Sequence, residues 1–232
     1  MIDDWEAHFK RIYRTEPAKY DRLVAAEDAY GELEQHVDAL ASEAATIVDV
    51  GAGTGRLTVW LCRPNNRVHG VDSAPAMLEL AKERLVDCPG EWALSVGDAR
   101  SLPISDNWAD ASIAGWVYGH LTEWFANTWK TELARAVAEL DRVVGDGGVQ
   151  VVVDTLGTAV EEPGPPTAAL GAYHKELEAR GFALSVLRTD YRFSSIDESI
   201  ELLDWFFGLG DWARHHNNRL VPEFTGWWER RI

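Results

Sequence analysis

Residues 47–55 constrain the fold of this chain more than any other stretch, because a short apolar run leads directly into three closely spaced glycines. They read Ile-Val-Asp-Val-Gly-Ala-Gly-Thr-Gly, and residues 56–61 continue with a helical pattern. A buried strand, a glycine turn and a helix N-terminus in succession form an anion-accepting crevice. The sequence therefore predicts a Rossmann-like unit whose ligand lies against this turn.

The spacing of the glycines departs from the dinucleotide fingerprint. That fingerprint has glycine at its first, third and sixth positions. Here the glycines are Gly51, Gly53 and Gly55, and Arg56 occupies the sixth position. An NAD-dependent oxidoreductase is therefore an alternative that the loop leaves open, not the interpretation it favours.

Composition bears on the class of partner. The chain has 232 residues, which suits one α/β domain with additions, and its formal net charge is −16. Nucleic-acid-binding domains usually carry a basic face, and an acidic surface repels phosphate backbones. No apolar run approaches the roughly 18 residues of a membrane helix, and Met1–Glu6 lack the apolar core of a signal peptide. We expect a cytoplasmic monomer or homodimer without nucleic-acid or membrane partners.

Neither the cysteines nor the paired histidines predict a metal site. Cys62 and Cys88 do not have metal-ligand spacing, and a reducing compartment keeps such thiols free. His215 and His216 are adjacent, so in a helix they do not face one ligand.

The pattern of apolar runs predicts an α/β core preceded by helices. Residues 3–42 have helical spacing, and strands are predicted at 47–50, 68–72, 92–96, 110–115 and 150–154. A long helix is predicted over 122–144 and is closed by the glycine-rich segment 145–148. Valine-rich strands that alternate with helices indicate a parallel sheet covered on both faces.

The pattern changes after residue 155. A helix is predicted over 167–180, a strand over 182–193, a helix near 196–207 followed by a polar tail, and a last strand over 224–230. Two late strands without a full crossover helix indicate an antiparallel edge. We therefore divide the chain into an N-terminal helical cap (1–43), a core (44–193), and a helical lid insertion with the final antiparallel strand of the same domain (194–232).

Three acids end or follow successive strands. Asp49, Asp72 and Asp98 all lie near the carboxyl ends of predicted strands, which face the ligand crevice in a doubly wound sheet. Asp72 is placed to accept both hydroxyls of a ribose and to disfavour a 2′-phosphate. Asp98 is placed to accept from an exocyclic adenine amine, whereas Asp49 either braces the loop or meets a ligand ammonium group.

These motifs together resemble the class I S-adenosylmethionine (SAM)-dependent methyltransferases, of the small-molecule kind similar to types 11 and 25. The resemblance covers roughly residues 44–193 and, more loosely, the last strand. The segments that carry it are 48–55, 70–78, 97–103, 110–121 and 140–148. It implies SAM as cofactor, S-adenosylhomocysteine as product and a small-molecule methyl acceptor. It also implies a seven-stranded sheet in the order 3-2-1-4-5-7-6, with the last strand antiparallel.

The resemblance also implies which residues bind the cofactor. The glycines would pass under the methionine part, Asp72 would hold the ribose, Ser73 and Met77 would flank the adenine, and Trp116 would face the sulfonium. The full predicted set is Tyr20, Asp49, Gly51, Ala52, Gly53, Gly55, Arg56, Asp72, Ser73, Met77, Asp98, Ala99 and Trp116. Packing is the alternative role for Tyr20 and Met77, and Asp98 alternatively serves only its turn.

Methyl transfer from a sulfonium needs positioning first, and a general base only when the acceptor enters protonated. His120 is the candidate base, with Tyr118 and His174 behind it and a structural role as its alternative. Residues 114–117 read Ala-Gly-Trp-Val, not the Asn/Asp-Pro-Pro-Tyr/Phe signature of amino-methylating DNA enzymes. A SAM-binding protein without turnover remains an alternative.

The segment 195–221 is rich in aromatic side chains. It contains Trp205, Phe206, Phe207, Trp212, His215 and His216. Aromatic side chains bury large apolar areas, so we expect this segment and the N-terminal helices to cover the acceptor as a lid.

Overall fold

A computed structural model describes residues 4–232, and positions 1–3 of the predicted cap lie outside the described residues. The strands of this part are numbered in chain order. They are β1 (Thr46–Val50), β2 (Arg67–Asp72), β3 (Glu91–Val96), β4 (Ala109–Gly115), β5 (Val144–Thr158), β6 (Ala183–Arg188), β7 (Tyr191–Arg192), β8 (Leu220–Val221) and β9 (Glu223–Arg231).

One seven-stranded sheet carries the core, in the order β3-β2-β1-β4-β5-β9-β6. Strands β1 to β5 run parallel where they pair, whereas β9 is antiparallel to both β5 and β6. Because β9 is the seventh strand of this sheet along the chain, the predicted order 3-2-1-4-5-7-6 and the antiparallel last strand are confirmed.

Helices cover both faces of the sheet and one end of it. They are α1 (Trp5–Thr15), α2 (Pro17–Ala25), α3 (Glu32–Glu43), α4 (Arg56–Leu61), α5 (Pro75–Leu85), α6 (Leu121–Trp124), α7 (Trp129–Val143), α8 (Ala168–Ala179), α9 (Ile196–Phe207) and α10 (Gly210–His216). Alternate strand residues enter two different apolar clusters. Val48 and Val152 belong to one, and Ile47 and Val151 belong to the other. This alternation places one core on each face of the sheet.

The N-terminal segment forms three helices where the sequence predicted one or two. The first break falls between α1 and α2 at Glu16, because the residue before Pro17 is disfavoured in the helical region. The second break ends at Gly31, which has φ 74° and serves as the N-cap of α3.

The predicted helix over 122–144 is two helices. Helix α6 ends at Trp124, and α7 begins at Trp129 after a turn in which Thr128 donates its amide to the Phe125 carbonyl (2.8 Å). Phe125 packs against the core while the Arg100 guanidinium lies 4.5 Å above its ring. The anchored Phe125 leaves helical geometry, with φ −133°, so the single helix was the wrong prediction.

Two further predictions differ from the structure near the late strands. The glycine-rich segment 145–148 lies within β5, which opposes β4 with a register shift between Ala109 and Ala111. The predicted strand over 182–193 is split into β6 and β7, because Asp190 turns inward and accepts the Glu223 amide (3.1 Å). The segment expected to be a polar tail contains helix α10.

Across residues 4–232, no helix is both long enough and apolar enough to cross a bilayer. Within the same range, no group of three or more His, Cys, Asp or Glu side chains is arranged to hold a metal ion. Cys62 and Cys88 are both free thiols.

Candidate functional site

The glycine loop joins β1 to α4 in a conformation that favours glycine. Gly51, Gly53 and Gly55 have φ values of 74°, 55° and 83°, all in the left-handed region. A Cβ on Gly51 would meet Cγ2 of Val117 at 2.0 Å, whereas a Cβ on Gly53 would meet Cε of Met77 only at 3.8 Å. Gly51 is therefore fixed by packing as well as by backbone geometry, and Gly53 leaves open space beside it.

Asp72, at the end of β2, holds this loop in place. One carboxylate oxygen accepts the Gly53 amide (2.9 Å), and the other accepts the Ala74 amide (2.7 Å). Burial raises the pKa of Asp72 above its usual value, and hydrogen bonds from backbone amides oppose that rise. Each carboxylate oxygen keeps a second acceptor position. Asp72 is thus a half-buried acceptor at the junction of two strand ends.

Asp49 lies beneath the loop. Its side chain is buried, and one oxygen accepts the Thr58 hydroxyl (2.6 Å) from α4. Burial, with a smaller contribution from the charge of Asp72, raises the pKa of Asp49 to about 7. This geometry ties α4 to β1, which is the bracing alternative that the sequence left open.

A first cavity, of about 90 Å³, opens at the carboxyl ends of β1, β2 and β4. Its wall brings together nine of the residues predicted from the sequence. These are Tyr20, Gly51, Gly53, Asp72, Ser73, Met77, Ala99, Trp116 and His120.

Five predicted cofactor residues lie outside that wall: Asp49, Ala52, Gly55, Arg56 and Asp98. The Asp98 carboxylate binds the Arg100 guanidinium, with Oδ2 2.6 Å from Nη2, and this bond holds the pKa of Asp98 below its usual value. Gly55 is the N-cap of α4 and packs on Ala81, so its contact is with α5.

Arg56 faces a neighbouring space instead of the first cavity. Its guanidinium pairs with Glu27 (2.6 Å) and lies 4.5 Å above the ring of Trp116. Ala52 is buried and packs against the backbone of Gly70. The sequence identified these residues through their proximity to the glycines, which does not determine the direction of a side chain.

A second cavity, of about 370 Å³, adjoins the first. The two cavities share four wall residues, which are Tyr13, Tyr20, Trp116 and His120. Helices α1, α2 and α9 supply most of the aromatic wall, and β5 and β9 supply acids. The aromatic residues found only in this second wall are Trp5, Phe9, Tyr191, Phe206 and Phe207.

The helices of this wall are joined across the cavity. Phe206 of α9 packs on Phe9 and Tyr20, with ring centroids 5.2 and 5.7 Å apart. The Trp205 indole donates to Glu16 (3.0 Å). The late helix and the N-terminal helices therefore pack together along the second cavity, and their role as a lid stays a prediction.

His120 lies in a short 3-10 turn, Tyr118–His120, at the boundary between the cavities. Its Nε2 is 2.9 Å from the hydroxyl of Tyr13, and its ring stacks on Trp124 at 4.8 Å. Burial lowers the pKa of His120 to about 4, so the imidazole is neutral at pH 7. The other two candidate bases, Tyr118 and His174, lie on neither cavity wall.

Trp116 adopts a backbone conformation that is rare for a large side chain. Its φ is 54°, and its amide donates to the Val153 carbonyl (2.7 Å). Positive φ in a bulky residue costs on the order of 1–3 kcal/mol and concentrates at functional sites. This backbone conformation places the Trp116 indole on the wall that the two cavities share.

Four further residues line the second cavity and were not predicted from the sequence: Tyr13, Glu27, Asp154 and Glu223. Asp154 had the same signal as Asp72, since it ends a predicted strand. Tyr13, Glu27 and Glu223 had no local signal, because contacts distant in the chain bring them to the wall.

The comparisons with known proteins agree with this architecture. Residues 48–152 match the family model described as a methyltransferase domain. A protein of Bacillus mycoides strain KBAB4 described as an uncharacterized methyltransferase is 28% identical over 202 residues, covering 82% of this chain and 80% of that protein.

Solved structures share the fold. A SAM-dependent methyltransferase from Aquifex aeolicus has a TM-score of 0.56 at 16% identity, covering 93% of this chain and 99% of its own. The cyclase SpnF has a TM-score of 0.58 at 17% identity, covering 98% and 96% respectively. Residues 48–152 thus match a methyltransferase domain, and the resemblance of this chain to the class I SAM-dependent methyltransferases is confirmed.

Proposed function

We propose that this protein transfers a methyl group from SAM, bound in the first cavity, to a small molecule held in the second. The observation that carries the proposal is the shared wall, in which Tyr13, Tyr20, Trp116 and His120 separate the two spaces. A donor on one side and an acceptor on the other would meet at this wall.

The first cavity has the groups that SAM requires. Gly51 and Gly53 leave backbone exposed to the methionine part, and Asp72 keeps acceptor positions for a ribose diol. Ser73, Met77 and Ala99 form the wall beyond Asp72, where the adenine is expected. Hydrogen bonds to a charged acceptor contribute about 1.5–3 kcal/mol each.

We propose that α1 and α2, which line both cavities, close over the bound cofactor as a lid. Small-molecule pockets usually measure about 300–1,000 Å³, whereas the first cavity measures about 90 Å³. We therefore infer that α1 and α2 move outward when SAM enters and close again over it. Such closure excludes water from the transfer step.

The bound sulfonium would supply an activated methyl carbon, and the protein residues would position the acceptor in line with it. Positioning is worth up to about 7–11 kcal/mol, and an aromatic face near a cation adds about 0.5–2 kcal/mol. Trp116 and Tyr20 are the aromatic residues placed to give that stabilisation. We propose His120 as a proton acceptor. Because burial lowers the pKa of its imidazole to about 4, His120 would hold the proton only briefly.

The two rival functions give different binding profiles. The support for SAM over NAD is Arg56 in place of the third fingerprint glycine, because a strand-end acid such as Asp72 would bind the ribose of either cofactor. SpnF, which is called a cyclase, shares the fold, so the fold alone does not establish methyl transfer, and a SAM-binding protein without turnover is the second candidate. We also propose a cytoplasmic protein without a nucleic-acid partner, and the support for it is the composition and the net charge of −16.

Isothermal titration with SAM, S-adenosylhomocysteine and NAD tests the proposal. We expect both adenosyl compounds to bind with one-to-one stoichiometry and NAD to bind weakly or not at all. NAD binding without SAM binding would assign the protein to the oxidoreductases. SAM binding without transfer of a labelled methyl group to any molecule of a metabolite extract would favour the second candidate.

A further inference from the structure

We propose that the methyl acceptor is an amine with an apolar body, and that Asp154, Glu223 and Glu27 select its nitrogen. This inference rests on the proposed methyl transfer and adds the chemical class of the acceptor. It derives from the charges of the second cavity, the incomplete hydrogen bonding of those charges, and their position beside the shared wall.

Within residues 4–232, the second cavity is lined by four acids and one basic side chain, and because burial raises the pKa of Asp154 and Glu223, an entering cation would favour their charged forms. Glu27, Glu123, Asp154 and Glu223 all lie on its wall, and Arg56 is the basic side chain there among the residues described. The Arg56 guanidinium is already paired with Glu27 at 2.6 Å. An acceptor bearing a carboxylate or phosphate would therefore meet repulsion, whereas an ammonium group would be attracted.

Three of these carboxylates are incompletely hydrogen-bonded. Oε1 of Glu27, Oδ2 of Asp154 and Oε2 of Glu223 are buried without a donor in full hydrogen-bond geometry within the described chain. Their residues are 8%, 4% and 1% exposed. The Gly119 amide and the Tyr173 hydroxyl do, however, lie close enough to Asp154 to oppose the rise in its pKa. Buried polar atoms of this kind usually have donors, and an unpaired buried charge is costly. A protonated amine supplies up to three N–H donors of the required charge.

Asp154 adjoins the proposed transfer point. It follows Val153 in β5, and the Val153 carbonyl holds the amide of Trp116 at 2.7 Å. A Cβ on Gly119 would lie 2.6 Å from Oδ2 of Asp154, so this carboxylate lies against the turn that carries His120. Asp154 is thereby placed next to the residues that separate the two cavities.

Glu223 and Glu27 lie further along the same acidic wall. The Thr155 hydroxyl donates to Oε1 of Glu223 (3.0 Å), which leaves Oε2 for a ligand. The charge of Glu27 is close enough to raise the pKa of Glu223, although burial is the larger cause. A cation in the cavity would stabilise the charged form of Glu223 against its burial and would offset the repulsion between Glu223 and Glu27.

The remaining wall requires an apolar body. Phe9, Phe206, Phe207, Leu23 and Leu170 line it. Aromatic faces attract cations as well as burying apolar area. An amine on an aromatic or branched aliphatic skeleton satisfies both the acids and the apolar surface, whereas a strongly polar acceptor such as a sugar does not.

For an amine that enters as an ammonium, Asp154 replaces His120 as the proton acceptor, because the pKa of Asp154 is the higher of the two. The entering ammonium gives one proton to the Asp154 carboxylate, and the freed nitrogen lone pair attacks the methyl carbon of the sulfonium. A C–N bond forms, the C–S bond breaks, and its electron pair stays on sulfur as a neutral thioether. The positive charge moves onto the methylated nitrogen, beside Glu223 and Glu27. Burial raises the pKa of Asp154 to about 7, which suits this proton transfer near neutral pH.

A size-matched set of probes tests the class of acceptor. The complex with S-adenosylhomocysteine is titrated with phenethylamine, phenylethanol and phenylacetate, which share a ring and differ in the polar group. We expect phenethylamine to bind at least about tenfold more tightly than either of the others. A stronger or equal response to phenylethanol or phenylacetate, or no preference among the three, overturns the proposal.

Isosteric variants test the residues. Asp154→Asn keeps the acceptor for the Thr155 amide (2.8 Å), and Glu223→Gln keeps the acceptor for the Thr155 hydroxyl. We expect each to weaken phenethylamine binding about tenfold while the affinity for S-adenosylhomocysteine stays unchanged. The control is Asp106→Asn, an exposed acid paired with Arg142, which should change neither affinity.

The outcomes separate this inference from the proposed function. Wild-type protein that binds neither SAM nor S-adenosylhomocysteine contradicts the methyltransferase proposal itself. Protein that binds both, yet keeps its phenethylamine affinity in Asp154→Asn and Glu223→Gln, contradicts only the amine assignment. Loss of S-adenosylhomocysteine binding together with amine binding in both variants also contradicts it, because the acids would then act through the fold.

Discussion

The hydroxyl of Tyr13 lies 2.9 Å from Nε2 of His120, and this contact joins α1 to the turn that follows β4. Both residues line both cavities. The pair therefore couples the position of the lid to the wall where methyl transfer is proposed. Because burial keeps His120 neutral and also raises the pKa of Tyr13 well above its usual value, the contact is a neutral hydrogen bond at pH 7.

Removing this hydrogen bond should loosen the lid over SAM. Tyr13→Phe deletes the hydroxyl and keeps the ring, and a neutral hydrogen bond contributes about 0.5–1.5 kcal/mol. We expect the dissociation constant for S-adenosylhomocysteine to rise by about two- to tenfold. Tyr30→Phe, at a tyrosine that is 52% exposed, is the control. Equal affinities for Tyr13→Phe and wild type would mean that this hydrogen bond does not hold the lid closed over the cofactor.

Asp72 should be the largest single contributor to cofactor affinity. Asp72→Ala removes the acceptor for Gly53 and Ala74 and the proposed ribose contact. We expect SAM to bind at least about tenfold more weakly by titration calorimetry. Asp87→Asn, at an exposed position after α5, should leave the affinity unchanged. An unchanged dissociation constant in Asp72→Ala would show that the ribose assignment is wrong.

Gly51 and Gly147 have similar backbone angles, so alanine at each position separates the cost of a left-handed backbone from the cost of side-chain overlap. Gly51 has φ 74° and Gly147 has φ 81°, but a Cβ would meet Val117 at 2.0 Å in the first and no atom within 4 Å in the second. Gly147→Ala should lower the free energy of unfolding by about 1–2 kcal/mol, the cost of left-handed backbone. Gly51→Ala should lose a further 1–3 kcal/mol or so through overpacking. Urea unfolding measures both, and equal losses would contradict the packing role of Gly51.

Asp154 should make stability depend on pH. Its pKa is about 7 in the folded protein and 3.8 as the ordinary value, with burial as the main cause. The folded state therefore binds more protons between these pH values, so this contribution is present below about pH 4 and is lost as pH rises through 7. Asp154→Asn should raise the free energy of unfolding at pH 8 more than at pH 5.

Urea unfolding of wild type, Asp154→Asn and Asp106→Asn at pH 5 and pH 8 measures that difference. Asp106 is exposed and paired with Arg142, so its variant should behave alike at both values of pH. If Asp154→Asn changes the unfolding free energy equally at the two values, the Asp154 carboxyl is not protonated in the folded protein near neutral pH.

The parts of the site that depend on local sequence were predictable. The glycine loop and the strand-end position of Asp72 follow from short-range turn chemistry and from the periodicity of apolar residues, whereas the strand order was implied by the resemblance to the methyltransferases. The same rule, applied to the last residue of the fifth strand, would have identified Asp154.

The second cavity was not predictable in detail, because contacts distant in the chain build it. Tyr13 meets His120 across 107 positions, and the Trp205 indole meets Glu16 across 189. The pairing of Arg56 with Glu27 likewise depends on the packing of α2 over the start of α4. The sequence pattern indicated a lid, but it did not indicate which side chains the lid brings to the wall.

The central claim is methyl transfer from SAM to a small amine, and one radiochemical measurement tests it most directly. Wild-type protein is incubated with SAM carrying a labelled methyl group and a metabolite extract, and the small molecules are resolved by gradient elution from a cation exchanger at pH 7, with SAM, itself a cation, identified by its own elution position. We predict that label leaves SAM and is retained as a cationic product, and that Asp72→Ala greatly reduces the transfer. Label that stays entirely on SAM while SAM binds normally would contradict the account.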